Sequence, residues 1–133
     1  MKKVLFPLIV LTLIGFLTSC EKDDDHGDNE ITIEFLSPAS NEQVADASNV
    51  NIEIRLTATE DLEETEIFLY AELDPLQLVF EKDLHDHEKT YTFQQNVDLS
   101  AFPSGTSFLL EVETCLDHDC NEQKKEFIRF SIQ

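Results

Sequence analysis

Val50-Asn51-Ile52-Glu53-Ile54-Arg55-Leu56-Thr57 alternates apolar and polar side chains without a break. Val50, Ile52, Ile54 and Leu56 would share one face of an extended chain, and Asn51, Glu53, Arg55 and Thr57 the other. Successive side chains of a strand point to opposite sides, so a period of two marks a strand with one face buried. The same period recurs on both sides of this stretch. Ile31, Ile33 and Phe35 precede it. Ile67, Leu69 and Ala71 follow, then Leu76, Leu78 and Phe80, then Tyr91, Phe93, Val97 and Leu99. Phe108, Leu110 and Val112 form the sixth set, and Ile128, Phe130 and Ile132 the seventh. Turn chemistry separates the sets at Ser37-Pro38, Asp74-Pro75 and Pro103-Ser104-Gly105. No apolar stripe at helical spacing competes, although Asp61 to Glu66 could close one turn.

Seven short strands in about 100 residues predict an all-β, seven-stranded antiparallel sandwich over 31–133. The segment from Val97 to Glu122, VDLSAFPSGTSFLLEVETCLDHDCNE, resembles the corner and hairpin of bacterial immunoglobulin-like and fibronectin-like modules. That resemblance implies an immunoglobulin-like strand order. The buried Trp and inter-sheet cysteine pair of antibody domains are missing, so only the looser architecture is implied, and it names no ligand.

The N-terminus reads differently. Lys2 and Lys3 precede an uncharged run from Val4 to Leu17. As a helix that run would rise about 21 Å, short of the roughly 30 Å of a bilayer core. A basic start, a short apolar stretch and small residues after it describe a secretory signal, here 1–19. Leu17-Thr18-Ser19-Cys20 resembles the lipobox of bacterial lipoproteins. The resemblance implies cleavage before Cys20 and acylation of Cys20, hence a membrane partner through the lipid. Glu21-Lys22-Asp23-Asp24-Asp25 resembles the surface-export tag of lipoproteins from Bacteroidota, which implies the outer face of the outer membrane; a plain acidic linker is the competing reading. Residues 20–30, polar and without periodicity, are expected to be a lipidated cysteine and an acidic tether. Small immunoglobulin-like lipoproteins of Bacteroidota look similar as a class.

The chain of 133 residues carries 28 acidic and nine basic side chains, a net charge of −19. Loss of Lys2 and Lys3 with the signal would make it more negative. No basic stripe exists to neutralise phosphates, which argues against nucleic acid and for cations or basic partners.

Cys115 and Cys120 bracket Leu116-Asp117-His118-Asp119 at a hairpin tip. With Cys20 assigned to lipid they form an even pair in an exported chain, where disulfides persist. A disulfide is the favoured reading, with free thiols or a thiolate metal site as alternatives. Closing such a loop stabilises by about 2 kcal/mol in the chain-entropy model.

If the strands run up and down, the loops 59–64, 81–89 and 116–123 share one pole. That would gather His85, His87, His118, Asp117 and Asp119. Three readings remain open there: a solvated acidic pole, a zinc-type site, and a calcium site without an EF-hand pattern. Otherwise no cofactor is implied. A separate candidate is a face. Phe68, Tyr70, Leu109 and Phe127 fall at off-core positions of the third, sixth and seventh strands, where an apolar patch could receive a protein partner. Catalytic signatures are missing: there is no phosphate-binding Gly-rich loop and no G-x-S-x-G elbow. The expectation is a non-enzymatic binding or accessory module on the cell envelope. The alternatives are a metal-binding envelope protein and a structural subunit of an envelope uptake complex. Oligomeric state stays open.

Overall fold

The computed structural model describes residues 29–85 and 87–133. The signal, Cys20 and most of the tether therefore lie outside the described residues, as does Asp86. The chain forms β1 (Ile31–Ser37), β2 (Gln43–Val44), β3 (Val50–Ala58), β4 (Glu64–Ala71), β5 (Gln77–His85), β6 (Thr90–Val97), β7 (Ser107–Cys115) and β8 (Gln123–Ile132), with one 3-10 turn at Ala47–Asn49. One sheet has the order β1-β3-β6 and the other β2-β8-β7-β4-β5. The fold is all-β, as the period of two predicts, and all pairs but one are antiparallel.

Two features differ from the reading of seven antiparallel strands. The seven appear as β1 and β3–β8, and β2 is an eighth. It is two residues long and runs parallel to β8, with Gln43 beside Ser131 and Val44 beside Ile132. Two residues carry no readable period. The second difference is in β5. Leu76 and Leu78 do not point inward with Phe80; they are 53% and 47% exposed. Leu76 lies just before β5, and for Leu78 a bulge is the cause. Leu69 pairs with Phe80 and Tyr70 with Leu78, which leaves Val79 unopposed. One extra residue flips the strand's faces, so Leu78 joins Tyr70 outside, while Phe80 opposite Leu69 and Leu84 opposite Thr65 stay inward.

The two sheets close on a common core. Ile52, Ile54 and Leu56 of β3 meet Ile67 and Leu69 of β4 and Phe108, Leu110 and Val112 of β7, all fully buried. Phe108 lies opposite Phe130 across β7–β8 and opposite Ala71 across β4–β7. Its ring stacks on Phe130 at 5.4 Å and meets Phe102 in a T-shaped pair at 5.2 Å. The small Ala71 leaves room for that aromatic trio. Leu62 plugs one end of the core, and Leu99 with Phe102 plugs the other.

The far end is tied by two matching Asp-x-Ser turns. Asp46 accepts from Ser48 N at 3.0 Å and from its hydroxyl at 2.6 Å; Asp98 accepts from Ser100 N at 2.9 Å and from its hydroxyl at 2.6 Å. These bonds to the ionised form hold both carboxyls below the usual range, the side-chain bond first in each case. Leu99 N donates to Ala47 O at 2.7 Å and joins the two turns. Gly105, at φ +84°, supplies the left-handed residue the 103–106 turn requires.

Inside, one polar pair interrupts the apolar core. Thr65 and Thr114 face each other across β4–β7, with hydroxyls 2.8 Å apart. Thr114 donates to Glu64 O at 3.3 Å, so Thr65 supplies the proton between them. Both are buried, at 3% and 1% exposure. Thr114→Val should cost about 1–3 kcal/mol, because it strands the Thr65 hydroxyl. The double change to Val at 65 and 114 should recover most of that loss. Urea unfolding of the three variants checks it, and equal losses in single and double variants would refute the pairing.

Candidate interaction face and histidine pole

Strand register alone lays out the outer face of the five-stranded sheet. Side chains directly opposite across antiparallel strands stand on the same face. Leu78, Tyr70, Leu109 and Arg129 form one row across β5, β4, β7 and β8; Glu81, Phe68, Glu111 and Phe127 form the next; Asp83, Glu66, Glu113 and Lys125 form the third. All four patch residues named from the sequence therefore occupy this face. Phe68 and Tyr70 stack at 5.9 Å. Phe127 is 53% exposed, and the Arg129 guanidinium lies over its ring at 5.2 Å. Leu78 enlarges the patch, and only the bulge puts it there.

Charge is graded along the same face. Arg129 Nε donates to Glu72 at 2.7 Å, and the other Glu72 oxygen accepts from the Ser107 hydroxyl at 2.7 Å. The Ser107 and Arg129 bonds, in that order, hold the Glu72 carboxyl below its usual range. Toward the opposite end Lys125 bridges Glu113 at 2.9 Å and Glu111 at 3.3 Å. Those two acids raise the lysine, Glu113 first. Beyond that bridge the face is acidic. Burial, and then Asp83, Glu113, Glu64 and Glu81, push Glu66 up. Tyr70 is pushed up by burial first and by Glu111 next.

The sign of the Glu66 effect is testable. A carboxyl whose folded value is raised contributes stability below its ordinary range and loses it as pH climbs through the raised value. At neutral pH ionised Glu66 is thus a small liability. Glu66→Gln should raise the thermal midpoint at pH 7, by no more than about 0.5 kcal/mol in stability. The advantage should shrink as pH falls through the raised value. A variant less stable than the parent at pH 7 would contradict the repulsion.

At one pole three loops converge. Leu62 N donates to Glu88 O at 3.2 Å and Ala58 N to Lys89 O at 2.8 Å, which clamps the β3–β4 loop to the β5–β6 loop. The 116–122 loop is knotted on itself. A Cys115–Cys120 disulfide closes it, with Cα atoms 4.9 Å apart. Both Asp117 oxygens are engaged, accepting from Asn121 N at 2.8 Å and Glu122 N at 3.2 Å. The chain enters here too. Asn29, assigned to the tether on composition, is 7% exposed. Its side chain donates to Asp61 O at 3.2 Å and accepts from Glu60 N at 2.9 Å. A polar residue without periodicity gives no sequence signal of such burial.

Of the histidines, His87 and His118 reach the same carboxylate oxygen. Glu63 Oε2 lies 3.3 Å from His118 Nδ1 and 3.8 Å from His87 Nδ1. Sequence reasoning missed Glu63, because its role depends on two loops distant along the chain. His85 stands apart on β5, opposite Glu64 and next to inward Leu84. Asp117 serves the loop backbone, and Asp119 is exposed.

No protein-family model matches the chain, and no curated protein matches it. Among solved structures it is similar to the β-glucosidase of Listeria innocua. With glucose bound, that enzyme aligns at TM-score 0.43 and 10% identity over 77% of this chain and 16% of the enzyme's. The structure described without glucose aligns at TM-score 0.44 with the same identity and coverage. The chain thus spans about a sixth of those enzymes' length. Among the described residues no helix is long and apolar enough to cross a membrane.

Proposed function

We propose that this chain is a lipid-anchored envelope protein, held by Cys20, whose immunoglobulin-like β-sandwich binds a protein partner and performs no catalysis. The strand orders β1-β3-β6 and β2-β8-β7-β4-β5 support the immunoglobulin-like reading. The anchor and the surface location rest on Leu17–Cys20 and the acidic segment after it.

One observation carries the binding role. Phe68, Tyr70, Leu78, Leu109 and Phe127 cluster on one outer face beside Glu64, Glu66, Glu81 and Asp83. Soluble surfaces rarely gather large apolar side chains next to unneutralised acids without a use for both. The complementary surface combines apolar side chains with Lys or Arg. Apolar anchors supply affinity, and the acids set approach and orientation.

A photoreactive residue placed at 78 or 127 in the native host tests the proposal. It should give a discrete protein adduct, and its yield should fall as salt screens the acids. The same group at Thr92, on the outer face of the other sheet, should give none. Equal adducts at all three positions, or none at 78 and 127, would remove the role of this face.

A further inference from the structure

We infer that the outer edge of β6 is a dimerisation strand, on which a second copy of this chain adds its own β6 antiparallel, giving one continuous sheet in the order β1-β3-β6-β6-β3-β1. The apolar face proposed above lies on the other sheet and stays uncovered. A strand at the end of a sheet leaves half of its N–H and C=O groups unpaired, and proteins guard such edges with charge, proline, bulges or brevity. Among the described residues the two sheets end in β1, β2, β5 and β6. Three of these are guarded. β2 is two residues long. β1 breaks register between Phe35 and Ser37 and runs into Pro38, and Lys124 Nζ donates to Ile31 O at 2.7 Å. β5 carries the bulge and the consecutive charges Glu81, Lys82 and Asp83. Lys82 lies opposite buried Ile67, so its charge sits on the inner side of that edge.

β6 has none of these guards. Thr90–Val97 is eight residues long and holds no charge, proline or glycine, in a chain where 28% of residues are charged. Its register with β3 is unbroken from Thr57–Thr90 to Val50–Val97. Among the described residues no other strand or loop bonds to its backbone. The charges that flank it are engaged elsewhere. Lys89 Nζ donates to Thr59 O at 2.8 Å, and Asp98 accepts from Ser100 N at 2.9 Å.

Charge selects the occupant. With 28 acidic side chains against nine basic ones, most of this surface repels its own copy. Self-pairing of β5 would set Glu81 against Glu81 or Asp83 of the second copy, whereas self-pairing of β6 opposes only neutral side chains. A basic segment finds no acid on β6 to prefer it. A two-fold axis at Gln94 sets that residue against itself, Tyr91 opposite Val97 and Thr92 opposite Asn96. Aromatic with β-branched and hydroxyl with amide are pairs that favour a ladder. Glu53 is the acid next to Gln94 in its row. It and its copy would stand three strand spacings apart, about 14 Å, beyond the roughly 8 Å screening length at physiological salt.

Cysteine cross-linking of the complete chain in its native host tests the edge. Directly opposed residues of an antiparallel pair have Cα atoms about 4.5–5.5 Å apart, within disulfide reach. Gln94→Cys should therefore give a disulfide-linked dimer under mild oxidation. Thr92→Cys should not link to itself, but it should link to a chain carrying Asn96→Cys. Glu81→Cys, on the β5 edge, should stay single. The control at Thr92 keeps its meaning, since the one neighbour brought there is the same chain and any product has twice its mass. Gln94→Lys sets like charges at the two-fold and should weaken dimerisation about tenfold or more, read by sedimentation of the purified chain. Gln94 is exposed, so the variant should keep the parent's circular dichroism. Mixing Gln94→Lys chains with Gln94→Glu chains should restore the dimer. A link at 94 no stronger than at 81, a Thr92→Cys self-link as strong as that at 94, or no recovery with the mixed charges overturns the inference.

Discussion

Phe108→Ala is expected to remove about 3–5 kcal/mol of stability, the usual loss when a buried phenylalanine is cut to alanine. Phe108 is fully buried, stacked on Phe130 and perpendicular to Phe102. Ala71 beside it cannot expand to fill the space. Net stabilities of single domains run only about 5–15 kcal/mol, so this one change consumes a large share. For a domain of this size the thermal midpoint should fall by at least roughly 12 °C. Phe127→Ala is the matched control, since that ring is 53% exposed. Its effect should stay within about 0.5 kcal/mol. Thermal melts followed by far-ultraviolet circular dichroism separate the two. Comparable losses would mean that the inner and outer faces of β7 and β8 have been interchanged.

The second large effect is on location. Cys20→Ser should abolish acylation, and the parent protein should carry fatty acid on a mature N-terminus that begins at Cys20. A buried methylene contributes about 0.8 kcal/mol; one chain binds a membrane marginally, whereas two or more hold it. Mass spectrometry of the N-terminal peptide, with fractionation of the host's membranes, reads both. An intact Met1 without an adduct in the parent protein would sink the anchor, and surface display would go with it.

The two poles also differ in what they offer. The end built on Asp46 and Asp98 is tied by short turns whose carboxylates are already bonded. As pH falls, those carboxylates protonate and that contribution fades, since their folded values lie below the ordinary range. The opposite end holds the chain's entry, the knotted 116–122 loop and the histidines.

Local pattern was enough for much of this. Alternation in Val50–Thr57 and its six companions fixes strands with one buried face, because side-chain direction in a strand depends only on neighbours along the chain. The Cys115–Cys120 pairing was also legible, since only four residues of hairpin tip separate the two thiols. Placement of Phe68, Tyr70, Leu109 and Phe127 off the core followed from the same alternation.

Other features required the fold. The bulge at Val79 turned Leu78 outward, and a one-residue slip cannot be read from β5 without its partner β4. Burial of Asn29 depends on a loop thirty residues away. Glu63 met His87 and His118 only when two crossovers between the sheets and one hairpin closed at one pole. In each case the deciding neighbour is remote in the chain, and nothing in local hydropathy records it. The sequence by itself determined which residues face inward; tertiary structure decided which outward-facing residues meet, because contacts between loops arise from register and closure rather than from periodicity.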